Sequence, residues 1–380
     1  MATLEAQRAQ AADLDAQILA LADELVVDPQ RSLSMVNAQR ALVQEQLDSY
    51  KYPVLTLPTE IICEIFIHFL PVYPECPPPA GILSPTNLTQ ICRQWRDIAL
   101  ATPTLWRAVH LSSEDDRVVN QMRKLDIWLK RSLGCPFSIE ISKSYSSTRG
   151  FMFSSAQCTR LEYLKVSLLV SLWLVIEEGP MPFLRHLDLA FEHSLKSLDP
   201  IVFLDVPLLR SAALNDNALP VVVLPWAQLT ELTLHNVFPE ECAAVLQLTS
   251  NLVYFKLALT NNGAPDWPDV TLLRLESLTL TVYRTTDYHP NEIPGYLETF
   301  VVPILRHLRV EEQLLGSEPV DSITTFVSKS GCMLEGMRIT GARHVSQDVY
   351  RRAFPSVELS FDEDYRGEGA DELESDLHSE

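Results

Sequence analysis

The sequence predicts an α/β protein: an all-α N-terminal part followed by a long array of short parallel strands. Two observations carry this. Leucine supplies 58 of the 380 residues, and beyond residue 160 it recurs in units of the form L-x-x-L-x-L. Before residue 107, apolar residues instead recur at spacings of three and four, with prolines at the breaks. The first pattern is the alternation of a strand and the second is the stripe of a helix.

Residues 1–53 are read as a helical hairpin or short coiled coil. Leu14, Ile18, Leu21 and Leu25 share one helical face, Asp28-Pro29 stops that helix, and Ser32 or Ser34 caps a second. Val36, Val43, Leu47 and Tyr50 continue a heptad, interrupted by Arg40. The stripe serves either to pack on the next domain or to pair with a second copy, although two heptads are short for an independent dimer.

Residues 54–106 form a separate helical unit. Pro58 suits the first turn of a helix, and Ile61, Ile62, Ile65, Phe66, Phe69 and Leu70 give it a broad apolar stripe that Pro71 ends. Ser84-Pro85 starts a second helix, with Leu88, Ile91, Cys92, Trp95, Ile98 and Ala99 on one face and Pro103 at its end. About 50 residues cannot bury two such stripes internally, so part of this apolar surface is available to another protein.

Leu57-Pro58-x-Glu60-Ile61, then Ile65-Phe66, then Ile91-Cys92-Arg93-x-Trp95-Arg96-x-Ile98-Ala99, and a closing Pro103-x-Leu105-Trp106 resemble an F-box. The loop 71–86 departs from the compact form by roughly ten extra positions. With its N-terminal helical segment the chain resembles a large fungal group of F-box proteins. The resemblance implies docking on the Skp adaptor of an SCF ubiquitin ligase, with the cullin beyond it. It implies contact through some of Leu57, Pro58, Ile61, Ile65, Phe66, Ile91, Trp95 and Ile98, others of which form the unit's own core.

Residues 107–360 carry the repeat: Leu161-Leu164-Val166, Leu184-Leu187-Leu189, Leu209-Ala212-Leu214, Leu229-Leu232-Leu234, Leu252-Phe255-Leu257, Leu275-Leu278-Leu280, Leu305-Leu308-Val310 and Leu334-Met337-Ile339. The units step by 20 to 30 residues, close to the spacing of leucine-rich repeats, and a single strand per unit must stack on its neighbours. The expected fold is therefore an irregular leucine-rich-repeat solenoid, with Val109-Leu111 and Ile139-Ile141 as capping strands. An unrelated α/β sheet with leucine-rich strands is the alternative. Only Asn217 occupies the position where such repeats place Asn, so no asparagine ladder is expected and the connections should be irregular.

On such strands the residues between the apolar positions face outward, onto the expected concave surface. One outward column reads Lys165, Asp188, Ala213, Thr233, Lys256, Thr279, Arg309 and Arg338; the next reads Tyr163, His186, Ser211, Glu231, Tyr254, Ser277, His307 and Gly336. Four bases against one acid make Tyr163, Lys165, His186, Tyr254, Lys256, His307, Arg309 and Arg338 candidate substrate contacts for an acidic or phosphorylated protein segment. The stripe is otherwise a solvated face, or is covered by residues 361–380, which hold nine acids and one base and are read as a disordered acidic tail.

Net charge excludes other classes of partner. Thirty Lys and Arg against 50 Asp and Glu give −20, which disfavours nucleic acid and anionic membranes. The longest apolar run, Val166 to Ile176, is too short to span a bilayer. The polar N-terminus shows no secretory signal. Cys63, Cys76, Cys92, Cys135, Cys158, Cys242 and Cys332 form no CxxC pair, so neither a disulfide framework nor a zinc site is expected, and the setting is reducing: cytoplasmic, nuclear or both. No Gly-rich phosphate loop, GxSxG, HExxH or DxDxDG is present, and no cofactor is expected. The function expected is a non-catalytic substrate-recognition subunit of an SCF-type ligase; the alternative is a scaffold that binds proteins without directing degradation.

Overall fold

The structure is a computed structural model that describes residues 9, 12–17, 29–49, 53–111, 118–142, 151–170, 174–176, 179–193, 200–203, 205–237, 239–259, 269–282, 296–341 and 344–362. Ile18, Leu21, Leu25, Tyr50 and the acidic segment 363–380 lie outside these residues.

Helix α1 (Pro29–Ser49) begins at Pro29 itself rather than at a serine cap. Proline is at home in a first helical turn because its missing N–H has no intrahelical partner there. Residues 12–17 are also helical, and Arg40 of α1 pairs with Asp15 at 2.9 Å. Leu14 and Val43 are both buried. The arginine that interrupts the heptad thus ties the two segments together.

Three helices follow: α2 (Thr59–Phe69), α3 (Pro85–Ile91) and α4 (Arg93–Leu100). The single helix expected after Ser84 is in fact two. Cys92 takes an extended backbone (φ −154°, ψ 170°) and its Sγ accepts from Trp95 N at 3.4 Å, so it ends one helix and caps the next. Ser84 caps α3, its Oγ accepting from Thr86 N. Trp106 closes the unit: it is fully buried, its Nε1 donates to Ala99 O at 2.8 Å, and it meets Trp128 edge-on at 5.1 Å. Trp128 belongs to α5 (Val118–Arg131), a helix the repeat pattern did not announce. Arg160 caps the end of α5 by donating to Leu129 O and Ser132 Oγ.

The rest centres on an eleven-stranded parallel sheet, with helices at Pro239–Leu246, Pro319–Ser330 and Gln347–Ala353 between strands: β1 (Ala108–Leu111), β2 (Phe137–Ile141), β3 (Leu161–Val170), β4 (His186–His193), β5 (Ser211–Asn215), β6 (Glu231–Val237), β7 (Tyr254–Leu259), β8 (Ser277–Val282), β9 (His307–Glu311), β10 (Gly336–Thr340) and β11 (Glu358–Phe361). The spatial order is the chain order. Val109 and Ile139, expected as caps, stand in full register with the repeat, and β11 extends the sheet one strand beyond the last expected unit.

Register follows the leucines. Ile139, Leu164, Leu187, Ala212, Leu232, Phe255, Leu278, Leu308 and Met337 are successive partners, and all are buried. Each large side chain so buried contributes about 1.5–3 kcal/mol. The connections bond to one another as well, in small parallel ladders pairing 151–153 with 174–176, 201–202 with 222–223, and 270–271 with 300–301. One continuous hydrophobic core runs from Ile62 and Phe66 of α2 to Tyr350.

Among the described residues two asparagines bridge neighbouring units, and carboxylates do the same work farther along. Asn217 Nδ2 donates to Phe191 O and Glu192 O, and Asn215 Nδ2 donates to Phe191 O. Farther along, buried Glu311 accepts from Val282 N at 3.0 Å. Buried Glu312 accepts from Val345 N and from Tyr350 Oη, both at 3.0 Å, and from His344 N. Buried backbone donators between units need acceptors, and carboxylates supply them where asparagine does not.

Candidate functional site

The helical unit separates its apolar stripe into two sets. Phe66 (0% exposed) and Ile98 (9%) turn into the core, with Ile62 and Leu88. Among the eight residues expected at a partner interface, these two are therefore supports. Trp95 is half-buried and meets Phe66 edge-on at 4.9 Å. Leu57, Pro58, Ile61, Ile65 and Ile91 are exposed, Ile61 at 48% and Ile91 at 59%. Ile61 and Ile65 are four apart on α2 and share one helical face. Ile67 and Leu100 are exposed as well.

The long loop after α2 is not a free appendage. Tyr73 Oη donates to Glu162 Oε2 at 2.6 Å, its ring lies under the Arg107 guanidinium at 3.6 Å, and it meets Tyr163 edge-on at 6.0 Å. Pro74 O accepts from Ser138 Oγ at 2.9 Å, and Pro77 O accepts from His110 N at 2.9 Å. Cys76 Sγ lies 3.3 Å from Ser138 Oγ, and burial pushes its thiol pKa up to about 12. Burial, with the Glu162 carboxylate beside it, likewise holds the Tyr73 phenol well above its ordinary range. The loop thus fastens the helical unit to β1–β3.

The residues of both columns stand in register across the sheet, although Ala213 is buried. Lys165, Asp188, Ala213, Thr233, Lys256, Thr279, Arg309 and Arg338 are successive register partners, and so are Tyr163, His186, Ser211, Glu231, Tyr254, Ser277, His307 and Gly336. Their surroundings differ along the sheet. Tyr163 lies against Tyr73 and stacks on His186 at 5.7 Å; His186 Nδ1 is 2.9 Å from Ser211 Oγ. Lys165 pairs with Glu140 at 3.1 Å, and Arg338 pairs with Asp362. Tyr254, His307 and Arg338 are exposed, while Lys256 and Arg309 are half-buried. Glu140 and Asp362, which balance two of the four bases, fall outside the eight units and were missed for that reason.

All seven cysteines are free thiols. Among the described residues no group of three or more His, Cys, Asp or Glu could hold a metal ion, and no helix is long and apolar enough to cross a membrane.

Comparison with protein families adds one match, to the F-box-like family model over residues 54–112. This stretch is an F-box-like domain. It takes in α2, α3, α4, the Trp106 closure and β1. F-box proteins are generally non-catalytic adaptors, and no catalytic family is indicated. No curated protein matches the chain.

Proposed function

We propose that the protein is the substrate-recognition subunit of an SCF-type ubiquitin ligase. The F-box-like domain docks on the Skp adaptor, and through it on the cullin, by the exposed face of Leu57, Pro58, Ile61, Ile65 and Ile91. The sheet is a leucine-rich-repeat-like solenoid whose outward columns hold a protein substrate. The observation that carries the reading is the division of a matched F-box-like segment into a buried set and a solvated apolar set. The solenoid reading is supported by strand order equal to chain order and by leucines in register.

Chemistry is then left to the assembly. A substrate held on the same rigid body as the adaptor gains effective concentration at the ligase. The contacts of Tyr73 suit that role, because they fix the angle between the two surfaces.

The test is pull-down of purified Skp adaptor by the full chain and by the variant carrying Leu57→Ala and Pro58→Ala. Loss of capture with an unchanged unfolding curve is expected. Equal capture removes the docking face. Accumulation of co-purifying proteins on proteasome block separates a degradative receptor from a scaffold.

A further inference from the structure

The residues on either side of the first leucine of each unit form a row of their own. Five arginines, three glutamates and no lysine stand there, in a chain whose 50 acids outnumber its 30 Lys and Arg. One phrase recurs three times: Phe183-Leu184-Arg185, Leu208-Leu209-Arg210 and Ile304-Leu305-Arg306. In each the central leucine is buried and the arginine is exposed. These residues precede β4, β5 and β9, so they belong to the N-terminal rim of the sheet rather than to its outward face.

The backbone sets them side by side. Arg210 N donates to Arg185 O, Thr230 N to Arg210 O, and Val253 N to Thr230 O. The chain of bonds runs on through Glu276 and Arg306 to Glu335. Apolar side chains are solvated along the same rim: Phe183, Leu273 and Ile304 are exposed, and Met333 is 86% exposed. Phe, Met and Arg without Lys is the composition of the centre of a protein interface, whereas a merely solvated edge is richer in Lys and Glu.

Charge decides what kind of partner fits. Glu162 is held by Tyr73 and Arg185, and Glu335 by Arg306 at 3.0 Å. Glu276 is half-buried. Among the described residues no carboxylate pairs with Arg210 or Arg274, and both are exposed. The Arg210 guanidinium donates from Nη1 to Pro207 O and Leu209 O, which holds it at its own turn. A planar fork of donors held in this way matches a carboxylate.

We propose that this N-terminal rim is a docking edge for an acidic, apolar segment of a partner protein. Its carboxylates meet Arg210 and Arg274, and its apolar side chains cover Phe183, Ile304 and Met333. From β4 to β10 the rim takes six strand steps. At about 4.8 Å each these span roughly 29 Å, which about nine extended residues cover. The edge is separate from the outward columns and from the apolar face of the F-box-like domain, so the proposal stands whatever those surfaces bind.

Fluorescence anisotropy of a labelled peptide of four Glu-Leu-Ser units, titrated with the full chain, tests it. Saturable binding is expected, at least fivefold tighter than for peptides of Lys-Leu-Ser or Glu-Ser-Ser units. Arg210→Gln combined with Arg274→Gln should weaken it at least fivefold with an unchanged unfolding curve. Arg338→Gln, on the outward face, should leave it within twofold. Four results each overturn the proposal: no saturable binding, equal affinity for Glu-Ser-Ser units, equal affinity of the double variant, or an equal loss in Arg338→Gln. A wild-type dimer that Met333→Lys turns into a monomer, seen by sedimentation, would give the rim to a second copy and overturn it too. Should the double variant fail to fold, a benzophenone on the peptide decides. Crosslinks mapped by mass spectrometry to Phe183, Ile304 or Met333 support the rim, and crosslinks confined to other surfaces overturn it.

Discussion

Tyr73 Oη donates a 2.6 Å hydrogen bond to the Glu162 carboxylate, joining residues 89 apart in sequence across the boundary between the F-box-like domain and the sheet. Glu162 also accepts from Arg185 Nε at 3.1 Å, so one carboxylate gathers a tyrosine from the loop and an arginine from the next unit. A loop that lengthens the domain is in this way turned into a fixed joint.

Tyr73→Phe should therefore destabilise the protein while leaving the ring contacts with Arg107 and Tyr163 in place. A hydrogen bond to a charged group is worth about 1.5–3 kcal/mol, and the lower end is expected at a part-buried site. Denaturant unfolding of Tyr73→Phe, Glu162→Gln and the double variant measures it. Non-additivity of about 1 kcal/mol is expected, and strict additivity would show that the two side chains are not coupled.

Glu312 should be among the costliest positions in the sheet. Its removal leaves two backbone donors, His344 N and Val345 N, and the Tyr350 hydroxyl without their acceptor in a buried setting. Glu312→Ala is expected to lose about 3 kcal/mol, with Glu312→Gln intermediate because it keeps one acceptor oxygen. Thermal unfolding checks this, and a loss below about 1 kcal/mol would mean that other groups replace the carboxylate.

His186 gives the sheet a pH dependence of known sign. Burial lowers its pKa, nearby Lys165 acts the same way, and Glu231 opposes them. The folded state therefore resists protonation more than the unfolded chain does. The stability this provides is complete above the unfolded value of about 6.5 and is lost as pH falls below it through the folded value. Between pH 7.5 and 5.5, wild type should lose more melting temperature than His186→Gln. Identical losses would place the acid sensitivity elsewhere.

Much of this structure is legible in the sequence, and the parts that are not share a cause. The two columns stand in the register read from the sequence, because the leucine positions fix that register and a slip of one residue would expose the core. The division of the F-box-like domain into exposed and core residues is half legible. Spacing places Ile61, Ile62, Ile65 and Phe66 near one face, but only packing shows that Ile62 and Phe66 turn inward. The break at Cys92 is invisible to periodicity, since cysteine is neither a helix breaker nor a common cap. Tyr73 with Glu162, Arg160 with Ser132, and Arg338 with Asp362 are contacts over distances where no local pattern speaks.

Adaptor affinity tests the central claim most directly. Titration calorimetry of purified Skp adaptor into the full chain should show a saturable complex for wild type. Ile61→Ala combined with Ile65→Ala should weaken it at least about thirtyfold, the equivalent of a 2 kcal/mol interface anchor, with no change in unfolding because both side chains are exposed. Affinity equal to wild type in this variant, or no binding by wild type at all, would contradict the assignment of this face to the adaptor.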